Sequence, residues 1–318
     1  MLRKCLDRHS PGDRLFLIII LREIKNNMKK ISFSLALMTV ALIIPVFMGC
    51  GSEQPEAKPA VIAHRGYWKT DQSAQNSIAS FQKAIELGCY GSEMDLYLTS
   101  DNRVVLFHDN RIKFVKNGSE VSKRIDSCSY EELAGYTLSN GERLPLLEDI
   151  LEIAKAEYDK NVAGPKRKKG YVYTKPILEI KTHSTVSRDI EAAKAIHKMV
   201  TEYGLEDYVE YIAFSKNICN ELIAIAPTTP VHYLGGDLTP AELKEKGFSG
   251  LDYNISVMKT HNAWFKEARE LELKVNVWTV NSEEDMVYLL EQGIDFVTTD
   301  EPVMMRSIIS DRYNQQSK

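Results

Sequence analysis

Between Ala60 and Thr299 the chain passes through eight short runs rich in β-branched and aromatic residues, each separated from the next by a stretch of helical length. The expected strands are residues 60–64, 91–98, 176–181, 208–214, 230–234, 249–254, 274–280 and 294–299. Strands that alternate with helices pair in parallel, because each crossover helix carries the chain back to the starting edge. Eight such units close on themselves, so the expected architecture is an α/β chain folded as a (β/α)8 TIM barrel. A doubly wound open sheet also fits the alternation, but no glycine-rich phosphate turn follows the first run.

The intervening segments support this reading. "SIASFQKAIELG", "SRDIEAAKAIHKMVTEYG" and "SEEDMVYLLEQG" begin at serine and end at glycine, the usual start and stop signals of a helix. The regular alternation breaks after the second run. Arg103 to His108 reads as an extra strand folded back across the turn "SDN". Residues 110–145 then form a polar insertion whose only expected element is a short helix at "SYEELAGY". A long loop at the carboxyl end of a barrel strand is expected to cap the active site.

The N-terminus is a separate matter. From Met28 the order is a basic start, an apolar run, small residues around a cysteine and a Pro/Ala/Glu-rich tether. We read residues 1–27 as an extension from a misassigned start, 28–49 as a signal peptide, 50–59 as a tether and 60–318 as the barrel domain. "FMGC" resembles a bacterial lipobox. The protein is therefore expected to be exported and anchored to the cell-envelope membrane by lipid on Cys50, with an uncleaved span over residues 31–49 as the alternative. A net charge of -4 gives no basic footprint for nucleic acid, and the Lys166 to Lys169 run is expected to be a solvated loop. Cys89, Cys128 and Cys219 lack the spacing of a zinc site or a disulfide framework, so packing is their expected role.

The chemistry is concentrated at expected strand ends. Glu93 and Asp95 lie two apart on one run, so their carboxylates share a face. "AHRG" places His64 and Arg65 after the first strand, His108 closes the folded-back strand, and "LEIK" places Glu179 and Lys181 on the third. Three carboxylates without a cysteine suit one hard cation, Ca²⁺ or Mg²⁺. Arg65 and Lys181 supply charge for an anionic substrate, and the two histidines a general acid and a general base. Together these groups describe phosphodiester cleavage.

"AHRG", "QNS-IASFQKAIELG", "SEMDLYLTSDNRVVLFHD", "LEIK", "VWTVN" and "GIDFVTTDEP", in this order, resemble the glycerophosphodiester phosphodiesterase family in its lipoprotein form. The resemblance implies metal-dependent hydrolysis of small glycerophosphodiesters to sn-glycerol 3-phosphate and an alcohol. It implies catalytic histidines at His64 and His108 and metal ligands at Glu93, Asp95 and Glu179. Phosphate contacts would fall on Arg65 and Lys181, and Trp278 would wall the pocket or pack in the barrel core.

The chain departs from the family pattern at two places. Ala74-Gln75-Asn76-Ser77 stands where many members have Pro-Glu-Asn-Thr, which removes one acid near the mouth. Thr182-His183 follows "EIK" where many have proline, and His183 is expected on a solvated loop rather than at the substrate. The other functional readings are a phospholipase-type phosphodiesterase with another head group, a non-catalytic phosphodiester-binding lipoprotein, and a glycoside hydrolase using paired acids.

Overall fold

The structure, a computed structural model, describes residues 58–116, 118–165 and 171–315. The expected N-terminal extension and signal peptide, Cys50 and the Lys166 to Lys169 run lie outside the described residues. Eleven strands are present among these: β1 Ala60–Ala63, β2 Gly91–Leu98, β3 Val104–Leu106, β4 Arg111–Lys116, β5 Ser119–Arg124, β6 Lys175–Ile180, β7 Glu210–Ala213, β8 Val231–Tyr233, β9 Gly250–Asn254, β10 Lys274–Trp278 and β11 Phe296–Thr299. Eight of them pair in the order β1-β11-β10-β9-β8-β7-β6-β2, and β2 returns to β1. Every pairing in this ring is parallel, so the sheet closes into the expected (β/α)8 barrel. Each of the eight expected strands is found, mostly trimmed by a residue or two at its ends. Among the described residues no helix is long and apolar enough to cross a membrane.

Helix ends follow the sequence signals. Ser77 caps Ile78–Leu87, which ends at Gly88 with φ 71°, and Thr185 caps Val186–Tyr203, which ends at Gly204 with φ 65°. The main core lies between the sheet and these helices, with Phe81, Leu151, Ile196 and Leu289 fully buried. A smaller cluster of Ile62, Ile177, Ile212 and Leu234, with Tyr90, Trp278 and Phe296 against it, gathers alternate strand residues. Gly91 belongs to the same crowding, because a Cβ there would meet Ile177 Cγ1 at 2.6 Å.

The insertion differs from the polar cap expected from sequence. β3 pairs antiparallel with β2 as expected, but a second hairpin, β4 with β5, follows it. The short helix Tyr130–Leu133 comes next, with Ser129 and Glu132 forming a capping box. Ile112, Ile125, Leu133 and Leu144 close a core of their own over Tyr97 and Val105 of the barrel sheet. The hairpin has no strong signal in the sequence, because its outer face is charged and only one face of a two-stranded ribbon is apolar. Further ties hold the insertion down. Glu142 accepts the N–H groups of Ile78 (2.8 Å) and Ala79 (3.2 Å) at a helix start, and Asp126 accepts that of Ser184 at 2.8 Å.

Candidate active site

The strand register brings the acids together. Asp95 on β2 pairs with Glu179 on β6, and Glu93 lies two residues before Asp95 on the same face. One carboxylate oxygen from each of the three lies within 4.8 Å of the others, and all three residues are buried. Asp95 accepts from Asn76 Nδ2 at 2.7 Å and from Lys181 Nζ at 3.0 Å. Lys181 Nζ also lies 2.6 Å from Glu179 Oε1, so this ammonium sits among the acids. Glu93 Oε2 accepts the backbone N–H of Arg65 at 2.7 Å, whereas Glu93 Oε1 is buried without a hydrogen-bond partner.

Burial and neighbouring charge set the protonation of this cluster. Burial, reinforced by Asp95 and Glu179, pushes Glu93 well above the ordinary carboxylate range. Burial and the charge of Asp95 push Glu179 up to about 7. Burial acts on Asp95 too, but Lys181, His108 and Asn76 hold it below its ordinary value. Acids pressed together in this way, with one oxygen unpaired, suit a hard divalent cation. The charge balance agrees. Three carboxylates against Arg65 and Lys181 leave one negative charge, and a divalent cation turns it into one positive charge, the complement of a phosphodiester.

Both histidines are anchored through Nδ1. His64 follows β1, and its Nδ1 lies 2.8 Å from Oδ1 of Asp300, which follows β11. Asp300 also accepts from Trp68 Nε1 at 3.1 Å and from Asn281 Nδ2 at 2.8 Å. Burial opposes its charge, but the bonds from His64, Asn281 and Trp68 hold its carboxyl down at about 2. His108 follows β3, with Nδ1 2.9 Å from Asp109 Oδ1. Burial lowers the His108 pKa, with Asp95 opposing and Lys181 adding to the effect. A ring anchored at Nδ1 leaves Nε2 as the nitrogen that exchanges a proton.

The turn after β1 is built for close approach. Arg65 has φ 55° and Gly66 φ 79°, and a Cβ on Gly66 would meet Ser80 Oγ at 2.2 Å. This left-handed pair points the Arg65 N–H at Glu93 and carries the guanidinium over the acids. Its Nη1 donates to Gln75 Oε1 at 2.7 Å, and its Nε lies 3.6 Å from Asp95 Oδ2. Gln75 thus holds Arg65 without neutralising it, at the position where the sequence lacks the family's acid.

His64, Arg65, Glu93, His108, Glu179 and Lys181 line one cavity of about 130 Å³. Asp95 stands behind this lining and joins the site through the carboxylate cluster. Trp278 lines the cavity and packs on the small inner cluster, while its Nε1 donates to the Asp252 carbonyl at 2.8 Å. Phe214 meets it edge-on at 5.6 Å. His183 corrects the sequence reading. It is 6% exposed, its Nε2 accepts the Leu98 N–H at 2.9 Å, and its backbone N–H donates to Asp189 Oδ1 at 2.7 Å, so it is a buried structural residue. Cys89, Cys128 and Cys219 are free and buried, as expected.

Sequence reading gave no role to Asp300, Asn76 or Asp252. Asp300 carried a usable signal, since it directly follows the last strand in "TTDEP". Asp252 lines the cavity floor, where burial pushes it up to about 7 against His232 and Asn276. No spacing in the sequence distinguishes it from an ordinary strand residue.

Fold and site together define the class, a barrel enzyme that cleaves phosphate esters at the carboxyl ends of its strands. The glycerophosphoryl diester phosphodiesterase family matches residues 64–304, and the chain belongs to that family. It is similar to the crystal structure of a glycerophosphodiester phosphodiesterase from Parabacteroides distasonis, with 42% identity, 80% of this chain and 98% of that one covered, and a TM-score of 0.71. A glycerophosphodiester phosphodiesterase of Caldanaerobacter subterraneus subsp. tengcongensis is 28% identical over 79% of this chain and 98% of its own length. The fold is shared with a phosphodiesterase from Oleispira antarctica in complex with sn-glycerol-3-phosphate, at 22% identity, 79% and 97% coverage and a TM-score of 0.63.

Proposed function

We propose that the protein hydrolyses glycerophosphodiesters to sn-glycerol 3-phosphate and an alcohol, with His64 and His108 moving the protons. The observation that carries this reading is the pair of carboxylate-anchored histidines on the same small cavity as a buried three-acid cluster and two cationic side chains. Glu93, Asp95 and Glu179 would hold one divalent cation, Ca²⁺ or Mg²⁺, which when bound neutralises charge on the phosphate and orients the adjacent glycerol hydroxyl. Arg65, held by Gln75, supplies a guanidinium fork to the phosphate oxygens, and Lys181 a point charge.

His64 is the general base in this reading. Asp300 remains charged down to about pH 2, so it favours the imidazolium that forms when His64 takes the proton of the attacking oxygen. His108 is the acid. It lies where the catalytic cavity opens to a neighbouring one, on the side from which an alcohol departs. As the phosphorus–oxygen bond breaks, His108 gives its proton to the leaving alcohol oxygen. His108, now neutral, then takes a proton from the water that opens the resulting cyclic phosphate. His64 returns its proton to the freed glycerol oxygen, which gives sn-glycerol 3-phosphate.

The basic start at Met28, the apolar run after it and the order around Cys50 support a further part of the proposal, that the enzyme works anchored by lipid at the cell envelope. The deciding experiment incubates the purified protein with a panel of glycerophosphodiesters, with and without chelator, and assays glycerol 3-phosphate. Release that stops on chelation and returns with added cation is expected. Release unaffected by chelation would remove the cation from the proposal, and no release from any diester would remove the activity.

A further inference from the structure

The chain from Arg65 to Asn76 carries the guanidinium of the catalytic centre and returns to touch Asp95. Arg65, Gln72 and Asn76 all have positive φ along it, at 55°, 62° and 57°. Left-handed backbone is unfavourable for a residue with a Cβ, so this arm keeps its path only where its surroundings hold it. Asn76 is the junction. It is 2% exposed, its Nδ2 donates to Asp95 Oδ2 at 2.7 Å, and its Oδ1 accepts the Asp95 backbone N–H at 3.0 Å. Its own backbone N–H donates to the Arg65 carbonyl at 3.0 Å. One asparagine thus fixes the Asp95 carboxylate and closes the loop that begins at Arg65.

What holds Asn76 from outside is the insertion. The helix Ile78–Leu87 starts two residues further on, and its first N–H groups have no partner within the helix. Glu142 accepts two of them, Ile78 at Oε2 (2.8 Å) and Ala79 at Oε1 (3.2 Å). Asn140 Nδ2 donates to Glu142 Oε1 at 2.8 Å and to the Gln72 carbonyl at 3.2 Å, so one turn grips the arm at two points. That turn is itself fixed. Leu138 is buried, its N–H donates to the Glu142 carbonyl at 2.8 Å, and Gly141 supplies the left-handed corner at φ 86°.

We propose that Glu142 is a positioning residue of the catalytic centre: through the start of the helix it holds Asn76, and through Asn76 it sets the Asp95 carboxylate for the cation. The inference rests on the reading that Glu93, Asp95 and Glu179 hold a divalent cation, and adds that the insertion helps to set its affinity. Linkage requires the converse as well. A cation that fixes Asp95 also fixes Asn76, and with it the helix start that Glu142 caps.

The test titrates Mg²⁺ and Ca²⁺ into wild type and Glu142→Ala by calorimetry, well below the melting temperature of either. Kd should rise about tenfold in the variant, the low end of what loss of a ligand's own partner costs. Saturating cation should then restore most of kcat, because the ligands and both histidines are intact. Glu142→Gln keeps one acceptor oxygen and should fall between the two. Glu132→Ala, which removes a capping box elsewhere in the insertion, should lower the melting temperature and leave Kd unchanged. A measurement on the wild type decides the matter even if Glu142→Ala fails to fold: the amide hydrogens of Ile78 and Ala79 should exchange more slowly once cation is added. A Kd that Glu142→Ala and Glu142→Gln leave unchanged, equal weakening in Glu132→Ala, or amide exchange indifferent to the cation overturns the inference and leaves the cation reading intact. No cation binding by the wild type overturns both.

Discussion

His64 and Asp300 are joined across the seam where the barrel closes, with Nδ1 of one 2.8 Å from Oδ1 of the other. The two residues are 236 positions apart, yet β1 and β11 lie side by side with Ala63 opposite Thr299, so each is simply the next residue beyond a paired strand end. Closure of the barrel therefore builds the dyad. A chain that failed to pair these two strands would have a histidine without its carboxylate.

This relationship yields the first prediction. His64→Ala should lower turnover by about 10² to 10⁴, the range of a positioned acid or base. Asp300→Asn should lower it by less. Because Asp300 acts through His64, the double variant should be no slower than His64→Ala alone. Single-turnover rates measure this directly, and additive losses would separate Asp300 from the proton transfer.

The assignment of acid and base gives a second test. A nitrophenyl phosphodiester departs without needing a proton, so it should restore most of the turnover lost in His108→Ala and little of that lost in His64→Ala. The reverse pattern would exchange the two roles.

A third prediction concerns the cation. Glu93→Gln, Asp95→Asn and Glu179→Gln should each abolish measurable Ca²⁺ or Mg²⁺ binding in calorimetry while the far-ultraviolet circular dichroism is kept. Since burial and Asp95 raise Glu179 to about 7, the carboxyl carries a proton at pH 6 that an incoming cation must displace. Affinity should thus weaken as pH falls below 7. Titrations in buffers of different protonation enthalpy should report more proton release on cation binding at pH 6 than at pH 8.

The insertion is predicted to be structural as well as a cap. Its core covers Tyr97 and Val105, so replacing residues 110–145 by a linker exposes both and should bring dye binding and a lower melting temperature. Asp126 provides a finer test. Burial works against its charge, but Arg124 and the Ser184 N–H hold its carboxyl down at about 2. A depressed pKa contributes stability above the unfolded value near 4, and this is lost as pH falls from about 4 toward 2. Asp126→Ala should cost about 2 kcal/mol at neutral pH and flatten that acid limb in denaturant titrations.

The proposed anchor is tested by labelling. Cys50→Ser should abolish incorporation of a fatty-acid analogue and leave the protein with its signal uncleaved. Equal label in the variant and the wild type would favour an ordinary membrane span.

The sequence by itself determined the barrel and most of its site, because both rest on local rules. Strand and helix patterns repeat over a few residues, caps are single positions, and Glu93 with Asp95 share a face through the two-residue period of one strand. The same local reading placed His64, Arg65, His108, Glu179 and Lys181 at expected strand ends, and the resemblance added the roles such residues have in the family. What the sequence left open depends on which strand lies next to which. The pairing of Asp300 with His64, the Asn76 bridge to Asp95 and the acid at position 252 join segments far apart in the chain. His183 was misread for the same reason, since only packing against Tyr97 and Asp189 tells a buried histidine from a solvated one. The insertion hairpin is the remaining case, and there tertiary contact with Tyr97 and Val105 supplies the apolar surface that a polar two-stranded ribbon needs in order to fold.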